Sequence, residues 1–182
     1  LADFFGTPAA LAFSTGYMAN AGVLPALVGP EDAIVSDALV HASLIDGARL
    51  ARASVHVFAH GDADALEAVL REVAPAHRRV LVVLDGVYSM DGDLAPLGRL
   101  VPIAKRHGAM VLLDDAHGCF ALGARGRGAA ELFDVADGVD LAAAGVERRV
   151  DVTDLQDGRP VLGHRRGGCL GRDGHGGGGS LD

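Results

Sequence analysis

The stretch Val80-Leu81-Val82-Val83-Leu84 is an unbroken run of β-branched residues and leucine, closed by Asp85. A run of that length without polar alternation suits a strand covered on both faces, and such strands belong to parallel sheets with helices on either side. Residues 110–113 repeat the pattern and also end on an aspartate, Asp114. Parallel neighbours need crossover connections, and the segments between the apolar runs carry a helical period. Residues 62–74 place Leu66, Val69, Leu70 and Val73 on one stripe, with Asp62 or Asp64 able to cap it. Residues 96–107 read as a helix that stops at Gly108. Residues 41–52 set Leu44, Ile45, Ala48 and Leu50 on an apolar face, and 16–28 read as a further helix. Shorter strands are expected at 9–14, 33–36, 55–59 and 139–144, and a short helix at 129–133. The alternation argues for an α/β fold with a mostly parallel sheet between helical layers.

The chain has 182 residues, 49% of them hydrophobic, enough for one sizeable core. No apolar run reaches the length of about 18 residues that a membrane span needs. A net charge of −8 with no basic cluster argues against a nucleic-acid partner. Cys119 and Cys169 lie far apart and form no CxxC pair, so neither a disulfide framework nor a zinc knuckle is expected, and a reducing cytoplasm fits. Asp3, Phe4 and Phe5 near the start do not make a charged-then-apolar leader. After Gly145 the character changes: Glu147-Arg148-Arg149 is charged, and the final 25 residues hold ten glycines. Residues 146–182 therefore read as a divergent, disordered tail, in which His164, Cys169 and His175 are incidental and no metal site is expected.

Sites in parallel α/β sheets gather at the carboxyl ends of strands. Three such ends are polar here: Ser14-Thr15-Gly16-Tyr17, the segment from Asp85 to Asp93, and Asp114-Asp115-Ala116-His117-Gly118. The first offers glycine and free helix-start amides to an anion. The third sets a carboxylate at the end of a buried strand, which is costly without a partner. Each alone has an ordinary explanation as caps and turns. Together they supply an amide cradle for a phosphate, a carboxylate for a protonated ring nitrogen, and His and Ser groups nearby, which is what pyridoxal 5′-phosphate (PLP) requires.

Four segments make this specific: LADFFGTPAALAFSTGYMAN, SDALVHASLIDGARL, DGVYSMDGDLAPL and LLDDAHGCFALGARGRGAAELF, in that order over the first 145 residues. In them the chain resembles the α-oxoamine synthases, PLP enzymes that condense an amino acid with an acyl-CoA or acyl-ACP, lose CO2 and release an aminoketone. The resemblance implies a three-layer large domain of the aminotransferase class I/II type, incomplete and spanning 1–145, and a homodimer. It implies that Asp114 pairs with the pyridine nitrogen, His117 lies near the ring's phenolic oxygen and His41 stacks on the ring. Ser89 would line the cofactor and substrate side, and Gly16 and Tyr17 would hold the phosphate through their amides. Asp85 would sit behind these groups, Arg127 would fix a loop, and Asp91 and Asp93 would be turn residues. Within the family, DGDLAPL followed by DDAHG is most similar to the branch serving biotin formation, with the glycine-acetylating branch second.

The family also requires a cofactor-anchoring lysine after the next strand. That region here reads VDLAAAGVERRVDVTDL, with Arg149 near the expected place, and arginine stays protonated. The chain's single lysine, Lys105, falls on the 96–107 helix and reads as a solvated surface residue. Past Gly145 the likeness stops, as a shifted reading frame or gene end would produce, and these 182 residues are expected to be catalytically incomplete.

Overall fold

The computed structural model describes residues 1–144. Five strands form one sheet in the order β2-β1-β3-β4-β5, with every neighbouring pair parallel. They are β1 (Ala33–Asp37), β2 (Ser54–Phe58), β3 (Val80–Asp85), β4 (Met110–Asp114) and β5 (Leu141–Ala143). The helices are α1 (Ala2–Phe5), α2 (Gly16–Leu27), α3 (Ala42–Ala51), α4 (Ala63–Val73), α5 (Leu97–Arg106) and α6 (Ala129–Leu132). Among the described residues no helix is long and apolar enough to cross a membrane.

Strand periodicity divides the core in two. Ile34, Leu81, Val83 and Leu112 point to one side and pack with Leu24 and Val28 of the α2 segment and Leu44, Ala48 and Ala51 of α3. Val35, Val82, Leu84, Val111 and Leu113 point to the other and meet Leu66 and Leu70 of α4 and Leu97, Leu100 and Val101 of α5. Every residue of β3 is buried, as its unalternating sequence predicts. Each fully buried leucine or valine of these layers contributes about 1.5–3 kcal/mol. The result is the three-layer arrangement expected from the alternation, with Asp85 and Asp114 adjacent in register at the carboxyl ends of β3 and β4.

Helix starts follow local chemistry. Thr15 accepts the Met18 amide, Asp62 accepts those of Asp64 and Ala65, and His41 accepts that of Ser43. Asp62, rather than Asp64, is therefore the cap of α4.

One expected strand is absent. Residues 9–14 have no partner in the sheet, and Leu11 and Phe13 remain 82% and 43% exposed. Strand propensity is realised by pairing and burial, and this segment pairs with neither edge strand, β2 or β5. The Ser14–Tyr17 cluster is thus a loop entering a helix. The first turn of chain, α1, carries no strong sequence signal; Phe4 stacks on Phe120 with ring centroids 5.3 Å apart. The 146–182 tail, with Arg149, His164, Cys169 and His175, lies outside the described residues.

Candidate functional site

Asp114 ends β4 half-buried, and two groups hold it. The Ala116 amide donates to Oδ1 at 3.1 Å. The Asn20 side chain, reaching over from α2, donates from Nδ2 to Oδ2 at 2.5 Å. The same Asn20 nitrogen donates to Ser43 Oγ at 2.9 Å. Ser43 Oγ lies 2.7 Å from His41 Nδ1, which also accepts the Ser43 amide at 3.2 Å. A nitrogen that accepts an amide proton carries none of its own, so in the neutral ring the proton sits on Nε2, the nitrogen left free of these bonds. A continuous chain of polar groups thus joins Asp114 to His41 through Asn20 and Ser43.

The chain exists because α2 and α3 approach closely at Gly47. A Cβ there would fall 2.8 Å from the Asn20 carbonyl oxygen and 2.6 Å from Leu24 Cδ1. Any side chain at Gly47 would push α2 outwards and take Asn20 away from Ser43.

Asp85 lies beside Asp114 and is 5% exposed. Its Oδ2 accepts the His41 amide at 3.1 Å, and its Oδ1 has no partner. Burial, then the charge of Asp114, pushes this carboxyl up to about 7 against the His41 bond, with Asp37 adding to the rise. A second oxygen without a partner, Asn20 Oδ1, is buried in the same network. Two orphaned acceptors beside Asp114 mark a place that favours a proton donor or a cation.

Asp115 organises the turn that follows. Its Oδ2 accepts the Ala129 amide at 2.7 Å. A Cβ at Gly86, Gly118 or Gly128 would overlap its carboxylate oxygens. Three glycines from three segments thus close around one carboxylate, and the 115–118 turn bearing His117 is held against the β3 loop and the start of α6. Burial, with the nearby Asp114 charge, raises the Asp115 pKa against the Ala129 bond.

The remaining expected residues lie at the same edge without hydrogen bonds to Asp114. Gly16 and Tyr17 form the first turn of α2, where helix geometry leaves amides free for an anion. The Tyr17 hydroxyl donates to Asp46 Oδ2 of α3 at 2.7 Å. Ser89 and His117 are exposed, Ser89 in the 86–96 loop and His117 in the turn after β4. Lys105 is elsewhere: it belongs to α5, in the opposite layer, and its Nζ lies 2.7 Å from Asp140 Oδ2.

Sequence reasoning missed Asn20 and Ser43. Both stand inside segments it had singled out, STGYMAN and HAS, and the one available signal for Asn20 is its place one helical turn after Gly16. It also left Asp93 as a turn residue, whereas its Oδ2 lies 2.7 Å from His60 Nε2. That pairing needs two loops that only the fold brings together.

A family model described as aminotransferase class I and II matches residues 1–146. An 8-amino-7-oxononanoate synthase from Citrifermentans bemidjiense is 54% identical over 141 residues, covering 78% of this chain and 36% of the relative. The chain thus spans about a third of the length of the curated relatives it matches. Among solved structures, a serine palmitoyltransferase from Sphingomonas wittichii superposes with a TM-score of 0.74 at 45% identity, covering 78% of this chain and 35% of that one. An 8-amino-7-oxononanoate synthase from Francisella tularensis gives 0.63 at 28%, covering 79% and 38%.

Proposed function

This chain belongs to the aminotransferase class I and II family, and from that premise we propose that it is the cofactor-binding part of an α-oxoamine synthase. The reaction is condensation of an amino acid with an acyl-CoA or acyl-ACP, with loss of CO2. The proposed activity is that of an 8-amino-7-oxononanoate synthase, which joins alanine to a pimeloyl thioester in biotin formation; the curated relative at 54% identity supports it. The same reading expects a homodimer in a reducing cytoplasm. The observation that carries it is the Asp114 carboxylate at a strand's carboxyl end, beside two orphaned buried acceptors and within one network with His41.

These residues fit PLP. Asp114 would hold a proton on the pyridine nitrogen by charge pairing. The Gly16 and Tyr17 amides would take the phosphate. His41, oriented through Nδ1, would offer its ring face and Nε2 to the cofactor side. Ser89 and His117 would complete the polar rim. When bound, PLP supplies an electron sink for the charge that develops at the substrate's α-carbon.

Within these 182 residues the site has no amine to anchor the cofactor, because Lys105 is paired with Asp140 in the opposite layer. PLP should therefore bind reversibly. Absorbance titration of the purified chain should show saturable binding, and borohydride reduction followed by peptide mapping should find no stoichiometric adduct. A phosphopyridoxyl group placed one-for-one on Lys105 would overturn the site as drawn. Absence of any saturable binding would overturn the cofactor reading itself.

A further inference from the structure

We propose that His60 is a positioning residue which, by bridging Asp37 and Asp93, fastens the 86–96 loop carrying Ser89 to the carboxyl end of β1. Its Nδ1 lies 2.9 Å from Asp37 Oδ1 and its Nε2 lies 2.7 Å from Asp93 Oδ2. Asp37 is a rigid anchor: it is 1% exposed, and its carboxylate also accepts the amides of Leu39 at 2.9 Å and Gly61 at 2.8 Å. Asp93 is the movable end. The Tyr88 amide donates to the Asp93 carbonyl at 3.0 Å and the Gly92 amide to the Tyr88 carbonyl at 2.7 Å, so the turn bearing Ser89 is closed between them. The Tyr88 ring packs edge-on against the imidazole with centroids 4.4 Å apart. Holding Asp93 therefore holds Ser89.

The bridge has a protonation requirement set by geometry. Both ring nitrogens face carboxylate oxygens, and only the imidazolium has two N–H donors. The neutral ring must aim a lone pair at one carboxylate and lose that bond. Burial opposes the charged form, but the bonds to Asp37 and Asp93 outweigh it together and raise the His60 pKa from 6.5. The groups facing the ring are Asp37 from β1 and Asp93 and Tyr88 from the loop. Asp62, at the start of α4, spends its carboxylate on the Asp64 and Ala65 amides, and Asp64 faces Arg99. Among the described residues no lysine or arginine pairs with Asp37 or Asp93. A folded-state pKa above the unfolded value means that the tether is complete below pH 6.5 and is lost as pH rises through the raised pKa.

The tether stands on the geometry alone; its consequence for function rests on the reading of Ser89 as a cofactor-side group. The test is amide hydrogen exchange on the full 182-residue chain without cofactor, from pH 5.5 to 8.5. Rates are corrected for intrinsic pH dependence and referred to β3. Protection of 86–96 should fall roughly three- to tenfold across that range, as expected when one charge-assisted bond opens. In Asp93→Asn the amide can donate to the neutral ring, so the pH step should disappear and protection persist at pH 8.5. In His60→Gln, whose amide does not titrate and cannot bridge the two acids as the imidazolium does, the loop should be loose throughout and show no step. A native loop equally protected at pH 5.5 and 8.5 would overturn the proposal even if His60→Gln loosened it, because that pattern describes packing alone. PLP titration of His60→Gln separates the two readings. A pH step in the native loop with unchanged PLP affinity would retain the tether and remove Ser89 from the cofactor site.

Discussion

Two buried carboxylates at opposite ends of the sheet, Asp32 and Asp85, are treated in opposite ways. At the amino end Asp32, just before β1, is buried and takes the Arg78 guanidinium on both oxygens, Nε at 3.0 Å and Nη2 at 2.8 Å, plus the Gly29 amide at 2.9 Å. The Arg78 bonds hold this carboxyl well down, at about 2, against the effect of burial. At the carboxyl end Asp85 is equally hidden but meets only the His41 amide and a neighbouring carboxylate, and rises to about 7. The charge of Asp32 is satisfied from within the fold. That of Asp85 is left unsatisfied, and that arrangement lowers stability unless a ligand supplies what is missing. The contrast separates a structural ion pair from a binding site on physical grounds.

The comparison is sharpened most by Asp114→Asn, which keeps the size and removes the charge. In a chimaera that sets residues 1–144 in the frame of a full-length relative, steady-state condensation should drop by roughly 100-fold or more. PLP retention should fall much less, since the Gly16 and Tyr17 amides bind the phosphate independently. Turnover close to that of the parent would remove Asp114 from the proposed chemistry.

At the other end, Arg78→Ala should act on stability alone. Breaking the pair should lower unfolding free energy by about 2 kcal/mol, less than for a fully buried pair because the guanidinium is half exposed. PLP affinity should not change. Urea denaturation with a parallel PLP titration checks both, and a loss of affinity matching the loss of stability would mean that the two ends are not distinct. The sign of the acid response follows from the lowered pKa: the pair's stabilisation is present above pH 3.8 and lost as pH falls through about 2.

The smallest expected effect is at Asp85. A carboxyl whose pKa rises from 3.8 to about 7 on folding costs stability progressively as pH rises across that interval. Asp85→Asn should therefore stabilise the chain by an amount on the order of 1 kcal/mol at pH 8 and by nothing near pH 3.5. Equal destabilisation at both pH values would show that the Asp85 carboxyl is satisfied in some other way.

Much of the architecture was legible in the chain itself. The unalternating apolar run at 80–84 announced a strand covered on both faces, and the stripe Leu66, Val69, Leu70, Val73 announced α4 and the side it buries. These signals are local and repeat many times within one element, so they survive without knowledge of neighbours. The 9–14 segment shows the opposite case. It is apolar enough for a strand, but a strand also needs a partner edge, which no local pattern encodes. Of the candidate site, the terminal carboxylates and His41 were visible by type and position, whereas Asn20 and Ser43 passed as helix filler.

The sequence alone determined the alternation of strands and helices, the aspartates at the ends of β3 and β4, and the presence of a single lysine. Only the tertiary structure decided that Asn20 grips Asp114 across 94 residues, that Gly47 lets α2 close on α3, and that His60 joins Asp37 at the end of β1 to Asp93 in the 86–96 loop. It also set Asp32 and Asp85 apart in their hold on a proton. Asp32 and Asp85 are the same residue type at the ends of equally buried strands, and only the neighbours brought in from distant segments make one a settled anion and the other a proton holder near neutrality. Periodicity is a property of adjacent residues. Desolvation and charge pairing are sums over everything nearby in space, and that sum does not exist until the chain has folded.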